Sequence, residues 1–334
     1  MGSRRISRRE VLTGLGAMAV SLVACDVRSG DARSSGGSEV TRPCRRSSPR
    51  WPGHRPCRVY LGLSSPEDIA AVEEETGPVG VHRSFFSWDD LSREADVIRD
   101  DHDHRRLPWV SFKPPTESSD GWAMVASGDF DDDLRARARR YARRREPVVA
   151  TFHHEPSNDH TGTPEEFVAA WTHAYDVMFD ETGLADVAFV PVIGEWEFNP
   201  ANPNGDPDEW VTPEILDRAA FMGVDIYQNA SGEGYPERLG RVRDWLADQG
   251  REDVMLGVGE TGCTDTFGHP DAVEWWTRSW QWVEDHADTI GVVSYFDSNR
   301  NSREGVDWPL GESSEKLEAF RDSLRSPLSC RLPR

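Results

Sequence analysis

Pro147-Val148-Val149-Ala150-Thr151-Phe152-His153-His154-Glu155-Pro156 runs from an unbroken apolar stretch into a polar tip. An uninterrupted apolar run of this length fits a strand buried on both faces, as in parallel sheets. Asp253–Gly262 has the same shape and ends Gly257-Val258-Gly259-Glu260-Thr261-Gly262. Six more runs, Arg58–Ser64, Val79–Trp88, Leu107–Pro115, Ala188–Phe198, Phe221–Ala230 and Ile290–Asn299, complete a set of eight.

Helical patterns lie between these runs. Ser65-Pro66-Glu67-Asp68 and Thr212-Pro213-Glu214 each put a capping residue before a proline at the first helical position. Thr163-Pro164-Glu165-Glu166 adds a capping box. Phe167, Trp171, Tyr175 and Met178 form one helical stripe, and Val273, Trp276, Trp280 and Val283 another. Both read as core packing. Eight strand–helix units over residues 57–330 predict an α/β fold, a single (β/α)8 barrel. A doubly wound sheet would usually carry a glycine-rich loop after its first strand. The first strand here ends Gly62-Leu63-Ser64-Ser65.

The N-terminal flank reads as export machinery. Arg4, Arg5, Arg8 and Arg9 precede an apolar run from Val11 to Ala24, too short to span a bilayer comfortably. Ser7-Arg8-Arg9-Glu10-Val11-Leu12 resembles a twin-arginine motif, and Leu22-Val23-Ala24-Cys25 a lipobox with Cys25 as the lipidated residue. Residues 1–25 are thus expected to be a lipoprotein signal, and 26–56, rich in Ser, Gly, Arg and Pro, a flexible tether. Cys44, Cys57, Cys263 and Cys330 suggest two disulfides in an oxidising compartment. Because Cys57 and Cys330 bracket the barrel, that pairing is favoured among the three possible.

The formal net charge is −21. This argues against nucleic acid and against an anionic membrane surface, both of which need clustered cations. A neutral, hydroxyl-rich polysaccharide is compatible with it. The expectation is a monomer that meets the membrane only through a lipid on Cys25, with no cofactor.

Catalytic groups of a barrel project from the C-terminal ends of its strands. Glu155 closes the fourth run and Glu260 the seventh. The 105 residues between them (260 − 155) divide over three units as about 35 each, near the roughly 31 of a 250-residue barrel. Two carboxylates facing one pocket are what glycoside cleavage requires, one protonated for the leaving oxygen and one ionised to attack the anomeric carbon.

This pattern resembles the glycosidase clan with its acid/base at strand four and its nucleophile at strand seven. Most members of that clan carry Asn-Glu at strand four. His154 before Glu155 resembles glycoside hydrolase family 26, which is dominated by endo-β-1,4-mannanases and includes some xylanases and glucanases. Its mannanases usually continue with Met and Asn-Gly-Trp, where this chain has Pro156-Ser157-Asn158-Asp159. The resemblance implies Glu155 as acid/base, Glu260 as nucleophile, His154 as a sugar contact, and Tyr227 as a hydrogen-bond donor to the nucleophile. It implies a retaining endo-β-glycosidase. The alternatives are a carbohydrate-binding barrel without catalysis, or a β-glucanase or xylanase of the same clan.

Trp196 and Trp308 are candidate sugar platforms or ordinary packing. Arg83 could steady the nucleophile or form a structural pair, and Asp225 reads as an inner-layer residue. Asn158, Lys113, Asn299 and Arg300 could reach substrate. Glu195 and Glu197 are rival carboxylates that would share a face if their strand continued. His82 and Trp88 lie along the second run. His153, His154 and His160 invite a metal, but helical HExxH spacing is absent, and there is no G-x-S-x-G elbow for a triad hydrolase.

Overall fold

The computed structural model describes residues 49–64, 68–115, 120–159, 162–299 and 305–334. Residues 1–25, expected to be a signal, and Cys44, Ser65, His160 and Arg300 lie outside the described residues.

The strands are β1 Tyr60–Ser64, β2 Val81–Phe86, β3 Leu107–Phe112, β4 Val148–Phe152, β5 Val187–Phe189, β6 Val192–Gly194, β7 Met222–Tyr227, β8 Leu256–Gly262 and β9 Ile290–Phe296. All pair in parallel in the order β5-β4-β3-β2-β1-β9-β8-β7-β6. The two ends of this order are halves of one run, the expected fifth strand, interrupted at Pro191. Proline has no N–H for a ladder. Its carbonyl nonetheless accepts from Gly223 N at 2.9 Å, and Val190 N donates to Ala150 O at 2.9 Å. The interrupted run thereby joins β4 to β7 and closes a (β/α)8 barrel.

Alternation along the strands sorts the apolar side chains into two cores. Tyr60, Val81, Leu107, Trp109, Val149, Val192, Phe221 and Val292 fill the barrel. Leu61, Val110, Ala150, Val224, Val258 and Val293 face outward to the helices. Both aromatic stripes pack in this outer layer, where Trp171, Trp276 and Trp280 are buried. Thr163 and Glu166 form the expected capping box around the helix Pro164–Thr182. The first helix instead starts at Ile69, with the Asp68 side chain accepting from Ala70 and Ala71 N–H.

Several boundaries differ from expectation. Trp51 joins the inner core and Tyr60 Oη donates to Gly53 O at 2.8 Å, so the packed domain begins inside the segment read as tether. Leu332 joins the same core, beyond position 330. The Cys57–Cys330 pairing is overturned. Cys57 is disulfide-bonded, whereas Cys330 and Cys263 are free thiols. Cys330 is held along β1, its N–H bonded to Val59 O at 2.9 Å, and packs against the inner core. Cys263 is buried beside Tyr295.

One irregularity decides what β8 presents. Val224 pairs with Val258, but Asp225 pairs with Glu260, so Gly259 is an extra residue in the β8 ladder. Such a bulge shifts the side-chain phase by one. Val258 faces the helices, and without the bulge Glu260 would follow it outward. Gly259 turns Glu260 into the barrel beside Asp225. A Cβ at position 259 would collide with the Arg83 guanidinium and the Asp225 carboxylate. Gly259→Ala should therefore cost about 1–3 kcal/mol, an overpacking penalty. Urea unfolding measures it, and unchanged stability would contradict the close approach.

Candidate active site

The tip of β4 departs from the strand that its sequence suggests. Extended pairing stops at Phe152, and His153 (φ 47°) and Glu155 (φ 48°) adopt left-handed backbone. Non-glycine residues there cost about 1–3 kcal/mol each, so surrounding contacts must enforce them. His153 N donates to Phe112 O on β3 at 2.9 Å, and Glu155 N donates to Val192 O on β6 at 2.8 Å. The tip is thus tied to both neighbouring strands before the helical turn Pro156–Asp159 begins. His153 is buried and accepts from Trp122 Nε1 through Nδ1 at 2.8 Å, which makes it a structural residue.

Arg83 lies at the centre of the upper barrel and is wholly buried. Its Nη1 donates to Asp225 Oδ1 at 2.8 Å and sits 3.5 Å from Glu260 Oε1. Ser111 Oγ accepts from its Nε and Nη2 at 3.4 Å. Burial opposes the guanidinium charge, but Asp225, Glu260 and Glu155 more than offset this and raise its pKa. Asp225 is thus an inner-layer residue, as expected, and its partner is Arg83.

The two glutamates have different surroundings. Glu260 is buried, receives the Tyr227 hydroxyl at 2.5 Å on Oε2, and has Arg83 on its other oxygen. Burial and the Glu260 charge push the Tyr227 phenol up, so it stays protonated as a donor. Glu155 is pushed up to about 7, first by burial and then by the Glu260 charge, against weaker pulls from the Asn158 side chain, Arg83 and Lys113. One carboxyl is held ready to carry a proton, and the other has a hydroxyl donor on one oxygen and a guanidinium 3.5 Å from the other.

His154 is half-buried with its ring 4.9 Å from that of Phe85. Both line a cleft of about 700 Å³ with Lys113, Ser111 and Trp88. Trp308 packs on Tyr227 at 4.9 Å and against Gly262. Trp196 is 49% exposed, just past Gly194, whose backbone approaches Glu155. Asn299 is exposed.

Other expectations are corrected. Ala188–Phe198 is not one strand, because Glu195–Phe198 forms a 3-10 turn. Glu195 and Glu197 therefore do not share a strand face. Glu195 is buried and clamped by Arg238 Nε at 2.6 Å and Arg241 Nη2 at 2.8 Å, a structural ion-pair cluster. His82 points outward to Asp101 at 2.9 Å and to Ser84, away from the carboxylate pair. Sequence reasoning missed Phe85, Ser111 and Gly259. Phe85 and Ser111 had a readable signal, since each lies two residues from a candidate already named, Arg83 and Lys113, on the same strand face.

No protein-family model matches the chain, and no curated protein matches it in sequence. Solved structures do share its fold. A GH26 β-mannanase from Bacteroides ovatus is 16% identical, with a TM-score of 0.57 over 82% of this chain and 90% of that one. The catalytic domain of a GH26 endo-β-1,4-mannanase from Bacillus sp. JAMB-750 is 13% identical, with a TM-score of 0.59 over 82% and 88%. An endo-β-1,4-glucanase from Xanthomonas axonopodis pv. citri is 10% identical, with a TM-score of 0.55 over 80% and 100%. The chain has a GH26-like barrel.

The raised Glu155 has a consequence for stability. Its folded form holds the proton more tightly than the ordinary carboxyl at 4.5. Its contribution is therefore full below about pH 4.5 and is lost as pH rises through 7. Glu155→Gln removes that loss. The Tm difference between variant and wild type should grow in the variant's favour from pH 5 to pH 8, by scanning calorimetry. A difference independent of pH would contradict the assignment.

Proposed function

We propose that this chain is a retaining endo-β-glycosidase that cleaves a β-linked polysaccharide, with β-1,4-mannan as the first substrate to test. Glu155 is its acid/base and Glu260 its nucleophile. The observation that carries the reading is the unequal pair near Arg83: Glu155, raised to about 7 by burial and by the charge of Glu260, and Glu260, held by the Tyr227 hydroxyl with Arg83 3.5 Å away. Environments that split two carboxyls in this way divide the roles of acid and nucleophile.

In the first step Glu260 attacks the anomeric carbon while Glu155 gives its proton to the departing glycosidic oxygen. A glycosyl ester on Glu260 and a shortened chain result. In the second step Glu155, now ionised, takes a proton from water as the water oxygen displaces Glu260. Both carboxyls return to their starting states. Tyr227 donates to one oxygen of Glu260 and Arg83 lies 3.5 Å from the other, which holds the carboxylate in place for attack.

His154 before Glu155 and the mannanases that share the barrel support mannan. The glucanase with the same fold makes β-1,4-glucan the next substrate to test. Trp308, packed on Tyr227, and the exposed Trp196 are the candidate platforms for pyranose rings, and Asn158 and the cleft beside His154 offer polar contacts. The acidic surface suits a neutral glycan and disfavours nucleic acid. The reading includes export and attachment by a lipid on Cys25, with the barrel acting as a monomer outside the cell.

Glu260→Ala should lower the release of reducing ends by about a thousandfold or more, as loss of a nucleophile does. Azide should restore turnover and yield a glycosyl azide of inverted configuration, because the small anion fits the vacated space. Wild-type turnover in Glu260→Ala would sink the proposal. The wild-type rate should also fall above about pH 7, where Glu155 loses the proton that it must donate. A rate that stays level to pH 9 would remove Glu155 as the acid.

A further inference from the structure

Of 38 basic residues only Lys113 and Lys316 are lysines. Where nearly every cation is an arginine, a lysine in a tight place suggests a need for a compact ammonium. Lys113 lines the cleft already described. Lys316 has been given no part in the reaction. It lies on the helix Ser314–Arg325 and is 3% exposed.

A buried ammonium is costly unless its donors are used. Lys316 Nζ donates to three backbone carbonyls, Cys263 O at 3.4 Å, Asp307 O at 3.2 Å and Trp308 O at 3.2 Å. Three donors on one nitrogen suit three converging carbonyls, whereas a planar guanidinium does not. The carbonyls belong to the end of β8 and to the loop after β9. Trp308 O also accepts from Tyr295 Oη at 2.8 Å, and Leu310 N donates to Asp297 Oδ1 at 2.8 Å. The loop is thus pinned on both sides of Trp308. The Trp308 ring then rests on Tyr227, which donates to Glu260.

We propose that Lys316 is a positioning residue: it ties the Trp308 loop to the end of β8, so that Trp308 seats Tyr227 against Glu260. The catalytic consequence rests on Glu260 being the nucleophile, while the clamp itself does not. Lys316→Met removes the charge and the three donors at similar length. Tyr295→Phe removes the other donor to Trp308 O and tests the same clamp from β9 should Lys316→Met fail to fold.

The test reads the clamp and the reaction separately. The full chain is labelled with 5-fluorotryptophan, and the Trp308 fluorine resonance is assigned with Trp308→Phe. In Lys316→Met and in Tyr295→Phe the Trp308 resonance should shift or broaden while the core tryptophans hold their positions. On mannan, Lys316→Met should lose on the order of tenfold in kcat/KM, and Lys316→Met/Tyr227→Phe should be no worse than Tyr227→Phe alone. An unchanged Trp308 resonance in both variants, or fully additive losses, would overturn the proposal. Should wild type cleave no glycan, the functional reading fails, and the fluorine spectrum still decides the clamp.

Discussion

A single buried cation, Arg83, sets the terms for everything above it in the barrel. It is ion-paired to Asp225, lies 3.5 Å from Glu260, and feels the charge of Glu155. One guanidinium cannot neutralise three carboxylates in a place that water hardly reaches, and burial makes each uncompensated charge expensive. The shortfall raises both Asp225 and Glu155, with burial the largest cause in each. Asp225 has the direct pair, and Glu260 has both Tyr227 and a share of Arg83. Glu155 is pushed up to about 7 by burial and then by the Glu260 charge, against weaker pulls from Asn158, Arg83 and Lys113.

Both glutamates reach this centre through a break in strand regularity. Glu155 arrives by two left-handed residues after β4, and Glu260 by the extra residue Gly259 in β8. Regular strands would have carried Glu260 outward to the helical layer. Backbone irregularities of this kind cost stability and persist where neighbouring strands enforce them. The hydrogen bonds from His153 to β3 and from Glu155 to β6 are that enforcement.

The barrel was legible because parallel strands buried on both faces leave long apolar runs, and each of the eight runs yields strand. The placement of Tyr227 against Glu260 was legible through resemblance, whereas Arg83 was left open between steadying the nucleophile and a structural pair, and it contacts both Asp225 and Glu260. What was not legible depends on exceptions to alternation. The bulge at Gly259 looks in sequence like any Gly-x-Gly, and the break at Pro191 is hidden inside an apolar run. Glu195 looked like a rival because its partners Arg238 and Arg241 lie more than forty positions away, on another helix. The Cys57–Cys330 pairing failed because bracketing a barrel does not fix which way a thiol points, and Cys330 turns to the inner core.

The central claim is that Glu260 forms the covalent bond to sugar. Incubation with a 2-deoxy-2-fluoro-β-glycosyl fluoride, which slows the second displacement more than it blocks the first, should trap that ester. Peptide mass spectrometry should then find the adduct on Glu260, in the segment Leu256–Gly262. An adduct on Glu155 or Asp225, or a hydrolysing enzyme that accumulates no adduct, would contradict the account.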